Sequence, residues 1–160
     1  MILVISVIVR FFRKDATAMN ILVSACLMGV CCRYDQKSVP DGLVIALRNK
    51  HQLIPVCPEQ LGGLPTPRCP AEIKDGRVVT REGKDVTANY ELGAEMALKI
   101  AKDLGCRAAI LKERSPSCGC GEIYDGSFSG NKIVGNGVTA KLLIQNGICV
   151  VGESKADMFL

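Results

Sequence analysis

The stretch ERSPSCGCGEIYDGSFSG, residues 113–130, sets Cys118 and Cys120 one residue apart among glycines and small hydroxyls. Thiols in so bendable a setting can hold a metal, act as a redox switch or a nucleophile, or simply sit in a tight turn. Two more cysteines have loop-like surroundings. Cys26 lies in SACLMGVCCRYD with Gly29 close behind, and Cys57 lies in PVCPEQLGGLPTPR, between prolines and two residues before Glu59. Soft thiolate ligands select zinc, copper(I) or iron–sulfur clusters. Structural zinc usually takes four ligands in C-x-x-C pairs, whereas this sequence has no C-x-x-C and its only C-x-C is Cys118–Cys120. The single histidine, His51, falls at the end of a predicted helix and outside every cysteine loop. It reads as a solvated polar residue, which leaves Cys–His and Ser–His catalysis without support.

Those cysteines need elements to bring them together. Four short, nearly continuously apolar runs, residues 21–25, 53–56, 108–112 and 148–151, have the pattern of strands buried on both faces of a parallel sheet. Helices are predicted over residues 41–50, 86–104 and 138–145. The longest carries Leu92, Met96, Ile100 and Leu104 at four-residue spacing as its core stripe, with Gly105 as its stop signal. Residues 72–83 read as a β-hairpin turning at Asp75–Gly76. The order predicts a single three-layer, Rossmann-like α/β domain with a mainly parallel four-stranded sheet, right-handed crossovers and an inserted hairpin. In such sheets ligands bind beyond the carboxyl ends of the strands. Cys26 follows the first strand, Cys57 the second, and Cys118 lies in the long loop after the third, so all three are predicted on one rim. Three cysteines from three loops suit a cluster in which one iron lacks a protein ligand and is an open Lewis acid.

Composition bounds the alternatives. The chain has 160 residues, 48% of them apolar, which is enough for one core without staples. Its nine cysteines are an odd number and cannot all pair internally. The opening MILVISVIVRFFRKD is apolar first and basic afterwards, the reverse of a secretory signal. The nine residues before Arg10 are far short of the ~20 that span a bilayer. The reading is therefore cytoplasmic, with reduced thiols and no membrane. Residues 1–18 form an N-terminal extension to a folded domain over 19–160, either an extra strand or the product of a misassigned start. A net charge of +4, no tryptophan and no basic run give neither the stacking platform nor the charged groove of a single-strand nucleic-acid binder, so no nucleic-acid partner is expected.

The successive motifs SACLMGV…CRYD, LIPVCPEQLGGLPTPR, ILKERSPSCG…GEIYDGSFSG and GNGVTAKLLIQNGI resemble, in order and over about residues 20–150, a bacterial domain-of-unknown-function family whose characterised members are iron–sulfur-dependent thiouracil desulfidases. The resemblance implies an oxygen-sensitive 4Fe-4S cluster held by three cysteines, here Cys26, Cys57 and Cys118, with one open iron. It implies catalytic roles for Glu59 and Ser115. The activity implied is hydrolysis of a thiolated pyrimidine or similar small thioamide, without net redox, to the oxo product and sulfide. Its partners would be that small molecule and the machinery that assembles clusters. The chemistry fits the residue types, because a thiocarbonyl sulfur is soft and a carboxylate two residues from a ligand is placed for proton transfer. Ser115 would hold substrate or relay a proton, and Arg33 and Asp35 would orient the ring.

Other uses of the same residues stand beside this one. Relatives more often carry serine at Cys120; were Cys120 a fourth ligand, the cluster would be closed and suited to an electron carrier or sensor without a substrate. A zinc-bound structural module is a third reading. Cys31, Cys32 and Cys69 are not ligand positions in the family, and Cys106 and Cys149 read as buried small hydrophobes. Cys26 alone could be a structural thiol, Glu59 a carboxylate favoured at a helix N-terminus, and Ser115 a turn residue. Gly62 and Gly63 would allow a ligand close to the backbone, and the glycines after Cys118 would either make turns or donate amides to cluster sulfur. Oligomeric state and physiological substrate are not legible.

Overall fold

The structure, a computed structural model, describes residues 18–160, so the extension expected over residues 1–18 lies outside it except for Ala18. The chain begins with β1 (Asn20–Ser24), a 3₁₀ turn (Ala25–Met28), α1 (Gly42–Ala46) with a further 3₁₀ turn (Leu47–Asn49), and β2 (Gln52–Val56). There follow α2 (Pro58–Leu61), β3 (Ala71–Lys74), β4 (Arg77–Thr80), α3 (Thr87–Asp103) and β5 (Ala108–Leu111). The last third contains β6 (Glu122–Tyr124), β7 (Lys132–Val134), α4 (Val138–Gln145), β8 (Cys149–Gly152) and a 3₁₀ segment (Glu153–Phe159).

Four strands form one parallel sheet in the order β2-β1-β5-β8. Its apolar runs are continuous because both faces are buried, and successive residues serve opposite layers. Ile21 and Val23 pack with Val44, Leu47 and Ile110 on one face. Leu22 packs with Ala97, Ala101, Ala109 and Leu143 on the other. α1 and the C-terminal 3₁₀ segment thus cover one side and α3 and α4 the other, the three-layer arrangement expected. From β1 the chain steps to β2 on one side and later to β5 on the other. The order reverses there, which is where open α/β sheets leave a crevice beyond their carboxyl ends.

The punctuation was readable. Asp41 caps α1 by accepting from the Val44 amide at 3.0 Å. α3 ends on Gly105 at φ +62°, beyond which the Cys106 amide reaches back to Ala101 O at 2.7 Å. Asp75 and Gly76, at φ +50° and +77°, turn the β3–β4 hairpin as a type I′ pair would.

Several expectations are corrected. The α3 stripe is not core, since Leu92, Met96 and Leu104 are 48%, 40% and 46% exposed. The buried face is Tyr90, Gly93, Ala94, Ala97 and Ala101, because small residues let the helix come close to its neighbours. Gly62 does not admit a ligand; a Cβ there would fall 1.9 Å from Asn89 O, and one at Gly93 1.9 Å from Pro58 O, so this pair seats α2 on α3. His51 is not solvated but 6% exposed, with the Met19 amide donating to its Nδ1 at 3.3 Å and its Nε2 2.7 Å from Phe159 O. The β6–β7 hairpin and α2 were not anticipated. Cys106 is buried as expected, but Cys149, at the start of β8, is exposed.

Candidate functional site

Three loops leave the carboxyl ends of β1, β2 and β5 and enclose a cavity of about 430 Å³. Cys26 lies in the 3₁₀ turn directly after β1, Cys57 is the N-cap of α2 directly after β2, and Cys118 follows β5 through the ERSPS loop. All three line the cavity, together with Glu59 and Ser115, so the five residues singled out from sequence meet in one place. Cys120 does not join them. Its thiol donates to Val150 O at 3.4 Å, on the edge strand β8, and the two cysteines of the C-x-C face different surroundings.

Sequence reading missed a neighbour. Cys32 is 2% exposed and lines the cavity beside Cys26 and Cys57. Its thiol pKa is pushed up to about 11, chiefly by the contact with Cys26, while Cys57 pulls it down and burial adds to the rise. The Cys57 thiol is pushed up by its contact with Cys32 and then by burial, and it donates to Cys32 O at 3.7 Å. Burial raises Cys118 to about 12 against the opposing pull of the Ser24 and Ser117 hydroxyls. Ser24 Oγ already accepts the Lys112 amide at 2.8 Å, which leaves its own hydrogen for Cys118. These donors stay neutral thiols until a cation draws off their protons, as a bound metal does outright. Among the described residues no three His, Cys, Asp or Glu side chains converge as ligands of a single ion would. A cluster spreads its ligands over several irons, so soft thiols from separate loops around one cavity fit that group.

Glu59 occupies the first turn of α2, between the cysteine rim and α3. Arg68 holds one of its oxygens, with Nε and Nη2 each 2.6 Å from Oε2. Both side chains are largely buried, at 6% for Arg68 and 13% for Glu59. Burial alone would lower the Arg68 pKa, but the Glu59 carboxylate more than offsets this and raises it. Arg68 Nη2 also donates to Cys32 O at 3.0 Å, so one guanidinium ties the carboxylate to the cysteine loop. The Tyr90 hydroxyl is held in its neutral form, by burial first and then by the neighbouring Glu59 charge.

Ser115 is a turn residue as well as a lining one. Its Oγ accepts the amides of Ser117 and Cys118 at 3.1 and 3.0 Å, which fixes the Cys118 backbone and leaves the hydroxyl hydrogen for the cavity. The glycines beyond it do not serve sulfur: the Gly119 amide donates to Ser115 O and the Gly121 amide to Asn136 Oδ1, each at 2.8 Å. Arg33 lines the cavity with Asp35 beside it at 3.4 Å, and Asp35 itself does not.

The profile of the 2-thiouracil desulfurase family matches residues 21–155. The chain is 45% identical over 150 residues to "Uncharacterized protein YbbK" of Bacillus subtilis (strain 168), covering 88% of this chain and 99% of that one. A solved structure described as a 4Fe-4S-dependent thiouracil desulfidase, TudS, is similar at a TM-score of 0.81 and 45% identity, covering 88% of this chain and 95% of that one.

Proposed function

This chain belongs to the 2-thiouracil desulfurase family, and from that premise we propose that it desulfurates a thiolated pyrimidine at a 4Fe-4S cluster held by Cys26, Cys57 and Cys118, with one iron left open. The observation that carries the reading is the meeting of these three thiols with Glu59 and Ser115 around a single cavity at the carboxyl rim. Against the alternative of a sensor or electron carrier with a closed cluster speaks the Cys120 thiol, which donates to Val150 O and does not line the cavity.

When bound, the cluster supplies Lewis acidity toward a soft sulfur. The rest is the work of side chains. Hydrolysis forms one C–O bond from water and breaks the C–S bond, with sulfur leaving as sulfide and no net change in oxidation state. Glu59 accepts the proton of the attacking water, while Arg68 holds the carboxylate in place through Oε2. The Ser115 hydroxyl donates to the ring and orients it, its oxygen being fixed by two amides. The α2 turn, seated on α3 through Gly62 and Gly93, positions Glu59 beside the Cys57 loop.

Anaerobic reconstitution followed by a sulfide-release assay on thiolated bases tests the proposal. The loaded protein should be brown and release sulfide from thiouracil, and Cys26→Ala, Cys57→Ala or Cys118→Ala should each bleach it. Colourless, iron-free protein after reconstitution overturns the reading.

A further inference from the structure

The sequence holds three tyrosines, four phenylalanines and no tryptophan. All three tyrosines and Phe128 line the cysteine cavity. A chain so poor in aromatics has gathered most of them around one site. Two guanidinium groups lie against two of these rings: Arg33 is 5.7 Å from the Tyr34 centroid and Arg81 is 5.7 Å from that of Phe128. Both distances are within cation–π range.

Phe128 is held more tightly than a loop residue needs to be. Its φ is +57°, a left-handed conformation that a bulky side chain rarely adopts. Glu72, on β3, fixes it: Oε2 accepts the amides of both Gly126 and Phe128, each at 3.0 Å. Backbone amides turned together toward one oxygen form an anion-holding nest, and here the anion is the protein's own carboxylate. Gly126 lies so close to β3 that a Cβ on it would be 2.7 Å from Ile73 O. The two hairpins are thereby clasped across the cavity mouth, and strained residues held in this way are typical of ligand clamps. Arg81, just after β4, completes the wall. The other cations of the cavity, Arg33, Arg68, Lys112 and Arg114, have carboxylate partners in Asp35, Glu59, Glu153 and Glu122. Among the described residues no carboxylate pairs with Arg81, whose planar group lies by the Phe128 ring instead.

We propose that Phe128 and Arg81 form a stacking wall for the flat face of the substrate ring, with Glu72 as the positioning residue that holds the wall; this rests on the desulfidase reading above. Hydrogen bonds fix a ring within its own plane, and stacking fixes the plane itself. A wall of this kind tolerates varied ring substituents because every base has a π-face. It selects planar thiolated heterocycles and rejects aliphatic thioamides, which present no face to stack.

The test uses the full chain. Phe128→Ala and Phe128→Leu should keep the iron content of the parent and raise KM for thiouracil by about 5- to 150-fold, the range of one base–aromatic stack, with kcat changed far less. Glu72→Ala should raise KM similarly, and Glu72→Gln, which keeps an acceptor oxygen for the two amides, should restore it. Phe128→Trp, which keeps an aromatic face, should bring KM back below that of Phe128→Ala. As the sole tryptophan, it should also change its emission saturably when uracil is titrated into the cluster-free protein. An unchanged KM in Phe128→Ala, with the parent fully active, overturns the wall and leaves the desulfidase reading standing. Tryptophan emission indifferent to uracil overturns it too. If the parent releases no sulfide from thiouracil while uracil still perturbs that emission, the desulfidase reading fails and the wall stands.

Discussion

Glu59 is held by Arg68 through one oxygen and has the Tyr90 hydroxyl for a neighbour, and this dictates how its role is to be tested. Replacing it with alanine strands a buried Arg68 cation, an error that typically costs 3–5 kcal/mol and confuses stability with catalysis. Glu59→Gln keeps an oxygen for Arg68 and removes only the proton acceptor. The expected outcome is full iron content and sulfide release slowed by about 10²- to 10⁴-fold, the usual weight of general base catalysis. Unchanged turnover would take Glu59 out of the mechanism. Cys32 needs the opposite test, because it is buried and lines the cavity beside two proposed ligands without following a strand end. Cys32→Ser is expected to retain iron where Cys57→Ala loses it, as read by metal analysis and the visible absorption of the cluster. Loss of iron in Cys32→Ser would make it a ligand. That Cys26, Cys57 and Cys118 meet was legible in the sequence because each follows a strand and strands of a parallel sheet end on one rim. Cys32 was not, because nothing in the doublet Cys31–Cys32 says which thiol faces inward; the fold exposes the first and buries the second.

At the scale of elements, the site depends on α2, a single turn too short to be stable by itself. Its position comes from a glycine contact: Gly62 lies against Asn89 O, Gly93 against Pro58 O, and Asn89 Nδ2 closes the gap by donating to Gly62 O at 2.8 Å. Gly93→Ala should therefore push α2 off α3 and carry Glu59 with it. Overpacking of this kind costs about 1–3 kcal/mol, so thermal unfolding should drop by roughly 2–12 °C. Sulfide release should fall further than the lost stability explains, whereas Ala88→Gly, on the exposed side of the same helix, should affect stability alone. The same contact explains what the sequence concealed. Leu92, Met96, Ile100 and Leu104 at four-residue spacing looked like a core face, but the buried face of α3 is mostly glycine and alanine, which hydrophobic periodicity weighs little. The β6–β7 hairpin was hidden for a related reason: its strands are three residues long, and Ile133 and Val134 are 48% and 94% exposed, so no alternation marks them. The β3–β4 hairpin was legible because its Asp-Gly turn names itself.

Across the whole molecule the sheet separates two tasks. Its carboxyl end carries the cavity, whose loops are held by ion pairs, nests and turns. Its amino end is closed by His51, which precedes β2 and links Met19, before β1, to Phe159, at the end of the chain. The ring is fixed as one tautomer by these contacts, since Nδ1 accepts from the Met19 amide and Nε2–H is left to donate to Phe159 O. It also meets Phe159 edge-on, with centroids 6.4 Å apart. A histidine used in this way joins the two ends of the described chain and does not line the cysteine cavity. His51→Ala would orphan a backbone donor and a backbone acceptor in a largely buried place, at about 1–3 kcal/mol. Thermal unfolding of the cluster-loaded protein should then come roughly 2–12 °C earlier, with KM for thiouracil and iron content unchanged. A His51 variant that unfolds normally but loses turnover would mean that the amino end of the sheet is coupled to the cysteine rim, and that stability and chemistry are not divided between the two ends.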